Sequence, residues 1–155
     1  MTRKRILWPT DLSLASTSAL DQVSLLSREL DAEVHLLYVA QDMRRFDHIY
    51  GDANPEFLAG LQQRERDNAA RLMDNICHKR LAGCPYYERH VRVGQPAAEI
   101  VALARELAVD YIIMATHGLG QEQLDKRWFG SVTHQVLQAS PVPVLVIPPP
   151  EQGKP

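Results

Sequence analysis

Short apolar runs recur along the chain with helix-period segments between them, and this alternation restricts the fold more than any other feature. The runs are Ile6-Leu-Trp8, residues 34–39, Tyr111-Ile-Ile-Met114 and residues 142–147, with residues 87–93, where Val91 and Val93 alternate with Glu88, His90 and Arg92, third in order. Each is too short for an independent helix and is bounded by polar or turn residues, so each reads as a strand. Between them, Ser13 is placed to cap a helix with Ala19, Val23, Leu26 and Leu30 on one face. Pro55 opens a second helix running to about Lys79, with Phe57, Leu61, Leu72 and Ile76 expected inward and the polar middle, residues 62–68, expected in solvent. Gly94-Gln-Pro96 opens a third, striped by Ile100, Val101, Ala104 and Leu107, and Gly130-Ser131 a fourth with Val132 and Val136 inward. Strands alternating with helices imply right-handed crossovers and a parallel sheet covered on both faces, an open α/β architecture. Residues 41–54 show no periodicity and read as a long loop or lid.

At 155 residues the chain suits one domain, expected over residues 1–150 with a solvated tail at 151–155. Hydrophobic residues at 45% against 23% charged give the balance of an ordinary globular protein. The formal net charge of −2 offers no broad positive field, which argues against nucleic-acid and acidic-membrane partners. The basic start Met1-Thr-Arg-Lys-Arg5 is followed by only three apolar residues before Pro9, too few for an export signal, and no apolar run suits a membrane span. Two cysteines, Cys77 and Cys84, suit a reducing compartment, so a cytoplasmic protein is expected.

The third run has one wet face, as a sheet edge should. The fifth is apolar on both sides although no helix follows it, and the cheapest cover for such an edge is the same strand of a second copy. A homodimer paired from Val142 to Ile147 is therefore expected, with Pro143 weakening the pairing at its own position.

In an open α/β sheet, ligands bind beyond the carboxyl ends of the strands where strand order reverses. Pro9-Thr10-Asp11 and Ala115-Thr116-His117-Gly118 stand at two such ends. Gly130-Ser131 begins a helix whose unpaired N–H groups favour an anion. Ser131 can donate to a phosphate or cap the helix, and an ordinary strand-to-helix turn gives the same pattern. Lys126 and Arg127 between them can meet phosphate or simply face water. The chain has no G-x4-G-K-[S/T] loop, no G-x-G-x-x-G after the first strand and no G-x-S-x-G elbow. Cys77, His78, Cys84 and His90 lack the tight spacing of a zinc site, so no metal is expected, and no paired base makes Ser131 or His117 catalytic.

These motifs together resemble the universal stress protein family over nearly the whole chain. The resemblance lies in Ile6-Leu-Trp-Pro-Thr-Asp-Leu-Ser13, Tyr38-Val39, Gly94-Gln-Pro-Ala-Ala-Glu-Ile100, Asp110-Tyr-Ile-Ile-Met-Ala-Thr-His-Gly118, Gly130-Ser-Val-Thr133 and Ser140-Pro-Val-Pro-Val-Leu-Val146. It implies a Rossmann-like sheet in the order 3-2-1-4-5, akin to the adenine nucleotide alpha hydrolases. The ATP-binding branch carries G-x2-G-x9-G-[S/T]. Here Ala115 stands at the first glycine, and eleven residues separate Gly118 from Gly130. Counting from Gly120 restores nine but puts His117 at the first glycine. The resemblance implies that Pro9, Thr10 and Asp11 border an adenine, with Val39 and Met114 as apolar walls. Ala115, His117 and Gly118 would follow the ribose and phosphates, and Gly130, Ser131, Val132 and Thr133 would close on the phosphate tail. The implied ligand is ATP, with ADP and AMP not distinguished and Mg2+ entering only through the phosphates. The implied role is a nucleotide-responsive regulatory module acting on an unidentified protein effector in the stress response, not an enzyme. The alternative is a dimeric interaction protein that binds no nucleotide.

Overall fold

The computed structural model describes residues 2–46, 54–82, 84, 86–116 and 129–148. Five strands, β1 (Arg5–Pro9), β2 (Glu33–Ala40), β3 (Tyr86–Val93), β4 (Tyr111–Ala115) and β5 (Val144–Ile147), form one parallel sheet in the order β3-β2-β1-β4-β5. This is the order implied by the sequence. Helices α1 (Leu14–Thr17), α2 (Leu20–Glu29) and α3 (Pro55–Arg80) precede β3, while α4 (Pro96–Glu106) and α5 (Ser131–Ala139) follow it. Strand alternation divides the core in two. Ile6, Trp8, Val34 and Leu36 meet Val23 and Met73 on one face, whereas Leu7, Leu37, Ile112 and Met114 meet Ile100, Leu103 and Val136 on the other. No described helix is long and apolar enough to cross a membrane.

Several local expectations are corrected. Ser13 does cap a helix, its Oγ accepting from Ser16 N at 3.1 Å, but that helix ends at Thr17. Ser18 N and Ala19 N turn back to the carbonyls of Ala15 and Ser16, and this tight turn splits the expected helix into α1 and α2. Leu30 then lies past the end of α2, 42% exposed. In α3 the fully buried row is Leu58, Ala69, Met73 and Cys77; of the expected face, Ile76 packs against the same core and Leu61 is half-buried, while Phe57 and Leu72 are exposed. Asn54 caps α3 with Pro55 in its first turn, and Met43–Phe46 is a 3-10 turn. β5 starts at Val144, leaving Val142 and Pro143 before it, where the Pro143 carbonyl accepts from Ile112 N. The tail at 151–155 and the rest of the 41–54 loop, residues 47–53, lie outside the described residues.

Helix α4 ends in a Schellman turn. Val109 N donates to Ala104 O and Ala108 N to Arg105 O, both at 3.1 Å, with Ala108 left-handed at φ 48°. An L residue loses roughly 1–2 kcal/mol in that conformation, and Ala108 is exposed. Ala108→Gly should therefore gain about 1 kcal/mol, a melting point about 2–4 °C higher by calorimetry; a lower one would contradict the turn.

The contact of β1 with the start of β4 carries a charged clasp. Asp110 accepts from Lys4 Nζ at 2.7 Å and from Arg5 N at 2.9 Å. These bonds, Lys4 foremost, hold its carboxyl below the ordinary 3.8. A depressed carboxyl pKa contributes stability above the unfolded value and loses it as pH falls through the folded one. Asp110→Asn should cost about 1 kcal/mol in urea denaturation at pH 7 and progressively less below pH 3.8. A constant difference across that window would contradict the clasp.

Candidate functional site

β1 and β4 are neighbours whose connections leave to opposite sides of the sheet, and this is where strand order reverses. A cleft of about 480 Å3 opens there, within the usual range for small-molecule sites. All ten described residues of the sequence-derived set line it. Pro9, Thr10 and Asp11 come from the end of β1, Val39 from β2, Met114 and Ala115 from β4, and Gly130, Ser131, Val132 and Thr133 from the start of α5. His117, Gly118, Lys126 and Arg127 lie outside the described residues.

The β1 turn is braced by its own side chains. Thr10, 6% exposed, faces Ser16 Oγ at 2.9 Å, and its Oγ1 accepts from Leu12 N at 3.0 Å. Asp11 Oδ1 accepts from Ser13 N at 3.0 Å. Leu12 is thereby held at φ 64°, a conformation a leucine adopts only when its surroundings enforce it. The turn thus presents a short carboxylate at a fixed place on the rim.

Across the cleft, β4 is tied directly to α5. Gly130 N donates to Thr116 O at 2.8 Å and Thr133 Oγ1 donates to Ala115 O at 3.1 Å. Gly130's amide is therefore committed to the loop neck, and Thr133's hydroxyl positions the helix. The helix cap is Gly130, so the capping reading of Ser131 is corrected: Ser131 is the first helical residue and is exposed. The first intrahelical bond is His134 N to Gly130 O at 2.9 Å, and Gly130 has no side chain to cap the turn. The N–H groups of Ser131, Val132 and Thr133 therefore precede the ladder at the positive end of the helix dipole. Gly130 itself has φ −59° and ψ 157°, open to any residue.

Sequence reasoning missed the rest of the lining: Ser16, Leu37, Tyr38, Gln41, Glu65, Pro96 and Ile100. Tyr38 OH donates to Glu65 Oε1 at 3.1 Å, and burial, reinforced by the Glu65 charge, pushes the phenol up to about 12. Tyr38 is thus a constant donor that occupies one oxygen of Glu65. Glu65 falls within the polar middle of α3 expected in solvent, yet it is half-buried. The available signal was positional, since a helix following β2 must cross the carboxyl end of the sheet.

The universal stress protein family model matches residues 2–148. The curated universal stress protein MJ0577 of Methanocaldococcus jannaschii is 34% identical over 155 residues, covering 93% of this chain and 94% of that one. The solved structure of the hypothetical protein MJ0577 matches with a TM-score of 0.79 and 32% identity, over 98% of this chain and 100% of the other. A universal stress protein from Archaeoglobus fulgidus, in complex with dAMP, shares the fold with a TM-score of 0.58 and 16% identity, over 94% and 98%.

Proposed function

The chain belongs to the universal stress protein family, and from that premise we propose that it is a regulatory module that binds ATP in the cleft at the ends of β1 and β4. The observation that carries this reading is the meeting, in one hollow, of an apolar wall, a rim carboxylate and uncapped helix amides. Val39 and Met114 offer flat apolar contact to a purine, while Pro9, Thr10 and Asp11 border its edge. The first turn of α5 faces the same space with donors suited to phosphate oxygens. Ala115 stands where the family motif has glycine, and the carbonyl it presents is already taken by Thr133. Magnesium enters only with the phosphates. The Archaeoglobus fulgidus protein with dAMP supports the ligand class at the level of the fold. The module acts by binding rather than turnover: occupancy biases which conformation meets a protein effector.

Calorimetric titration of the purified chain with ATP and magnesium tests this. A saturable one-to-one isotherm, competed by ADP and AMP, is expected. No heat at millimolar ATP would favour the reading as an interaction protein with an empty cleft.

The edge strand β5 belongs to the same proposal. Leu145 is 43% exposed on it, and pairing with a second copy would cover an apolar edge. Light scattering at micromolar concentration should give twice the chain mass of 17.5 kDa; the monomer mass would refute the pairing.

A further inference from the structure

At the amino half of the sheet, away from the cleft, β2 and β3 pair in parallel with His35 opposite Glu88 and Leu37 opposite His90. Opposed residues of a parallel pair share a face, so both histidines and Glu88 lie on one side. His35 Nδ1 is 3.1 Å from His90 Nε2 and 3.6 Å from Glu88 Oε2, and one donor atom from each residue lies within 4.8 Å of the others. Donors about 2.0–2.1 Å from a tetrahedral ion stand about 3.3–3.4 Å apart; the two distances from His35 bracket that value, and the exposed Glu88 side chain is the one that must swing in to close the third.

His35 supplies a second, independent observation. It is 2% exposed, and its Nε2 has no hydrogen-bond partner among the described residues, with Glu33 Oε2 at 3.8 Å. Two neutral imidazoles in contact must share one proton between the facing nitrogens. If His35 donates, its buried Nε2 is a bare lone pair; if His90 donates, Nε2 carries a proton with no acceptor in reach. Either arrangement leaves a buried polar atom unpaid by any bond. A cation between the rings changes this. Both facing lone pairs turn to the ion, the His35 proton sits on Nε2, and Glu33 is the carboxylate to accept it.

We propose that His35 Nδ1, His90 Nε2 and the Glu88 carboxylate form a binding site for a zinc-class divalent transition metal, with Glu33 orienting His35. Two imidazoles and one carboxylate are the donor set of three-ligand zinc sites. Burial pushes both histidines below their ordinary pKa, toward the neutral form. The Glu88 side chain is 59% exposed, which leaves a solvent route and an open fourth position. The ion would pin the outer strand β3 to β2. The sequence grouped His90 with Cys77, His78 and Cys84; the fold instead puts Cys77 and Cys84 in the core on the other face of the sheet. This site shares no residue with the cleft and stands or falls apart from the nucleotide reading.

The test is titration of the chelator-stripped full chain with zinc chloride, alongside the visible spectrum with cobalt. One ion per chain is expected, with a melting point about 5–10 °C higher at 100 times Kd and cobalt bands of nitrogen and oxygen ligation. His90→Gln should abolish saturable uptake, and Glu33→Gln should weaken it roughly 10–100-fold. Glu88→Gln, at an exposed position that cannot upset the core, should also weaken uptake, and circular dichroism checks that each variant folds. No saturable uptake, unchanged affinity in Glu88→Gln, or cobalt–thiolate charge-transfer bands would overturn the proposal.

Discussion

Saturation with ATP and magnesium is expected to raise the melting temperature by on the order of 5–10 °C. Ligand at 100 times Kd adds about 2.7 kcal/mol to the folded state, and a chain of this size converts each kcal/mol into about 2–4 °C. Gly130→Val should remove the shift and lower the unliganded melting point only modestly, since valine is a poorer helix cap than glycine. The separation follows from the backbone: φ −59° and ψ 157° suit valine, and the amide that donates to Thr116 is kept. What changes is the space beside the first turn of α5, where a branched side chain would stand against the phosphates. A full ATP shift in the variant would put the phosphates elsewhere, and no shift in the parent chain would remove ATP from the cleft.

The second large effect concerns Trp8. Its side chain is fully buried on the face covered by α2 and α3, among residues that include Ile6, Val23, Leu36 and Met73. Trp8→Ala should cost about 3–5 kcal/mol through lost burial and the cavity left behind, a large part of the roughly 5–15 kcal/mol that holds a domain folded. Trp8→Phe should cost much less than a comparable loss of volume suggests. The indole Nε1 is buried with no hydrogen-bond partner among the described residues, and phenylalanine removes that donor along with some packing. Urea denaturation of the two variants decides it. A loss in Trp8→Phe as large as an ordinary core truncation of the same volume would show that the indole nitrogen carries no penalty.

What the sequence revealed was set by periodicity and what it hid was set by packing. The strands could be read because β1, β2 and β4 are buried on both faces and so are largely apolar, with His35 the polar side chain inside β2. The edge strand β3 was legible from its alternation of Val91 and Val93 with charged neighbours. Helix α3 was misread in part because Ala69 and Cys77 contribute little to an apolar count yet lie in its buried row. At the cleft, the β1 turn, the end of β4 and the start of α5 were found from their positions at strand and helix ends. Glu65 and the His35–His90 contact were not, since each depends on which neighbours a helix or strand meets across 27 and 55 residues of chain. No local pattern encodes such meetings.

The bond from Gly130 to Thr116 has a consequence for how this chain can vary. Because Gly130 N donates to Thr116 O at 2.8 Å, the ends of β4 and α5 are tied to each other directly rather than only through the residues between them. Adding residues between fixed ends changes closure entropy only slowly, by about 0.6 kcal/mol for each doubling. The two residues by which this segment exceeds the family spacing therefore cost the scaffold almost nothing. Changes confined to that stretch leave the first turn of α5 moored to the end of β4, and with it the two sides of the cleft that those elements supply.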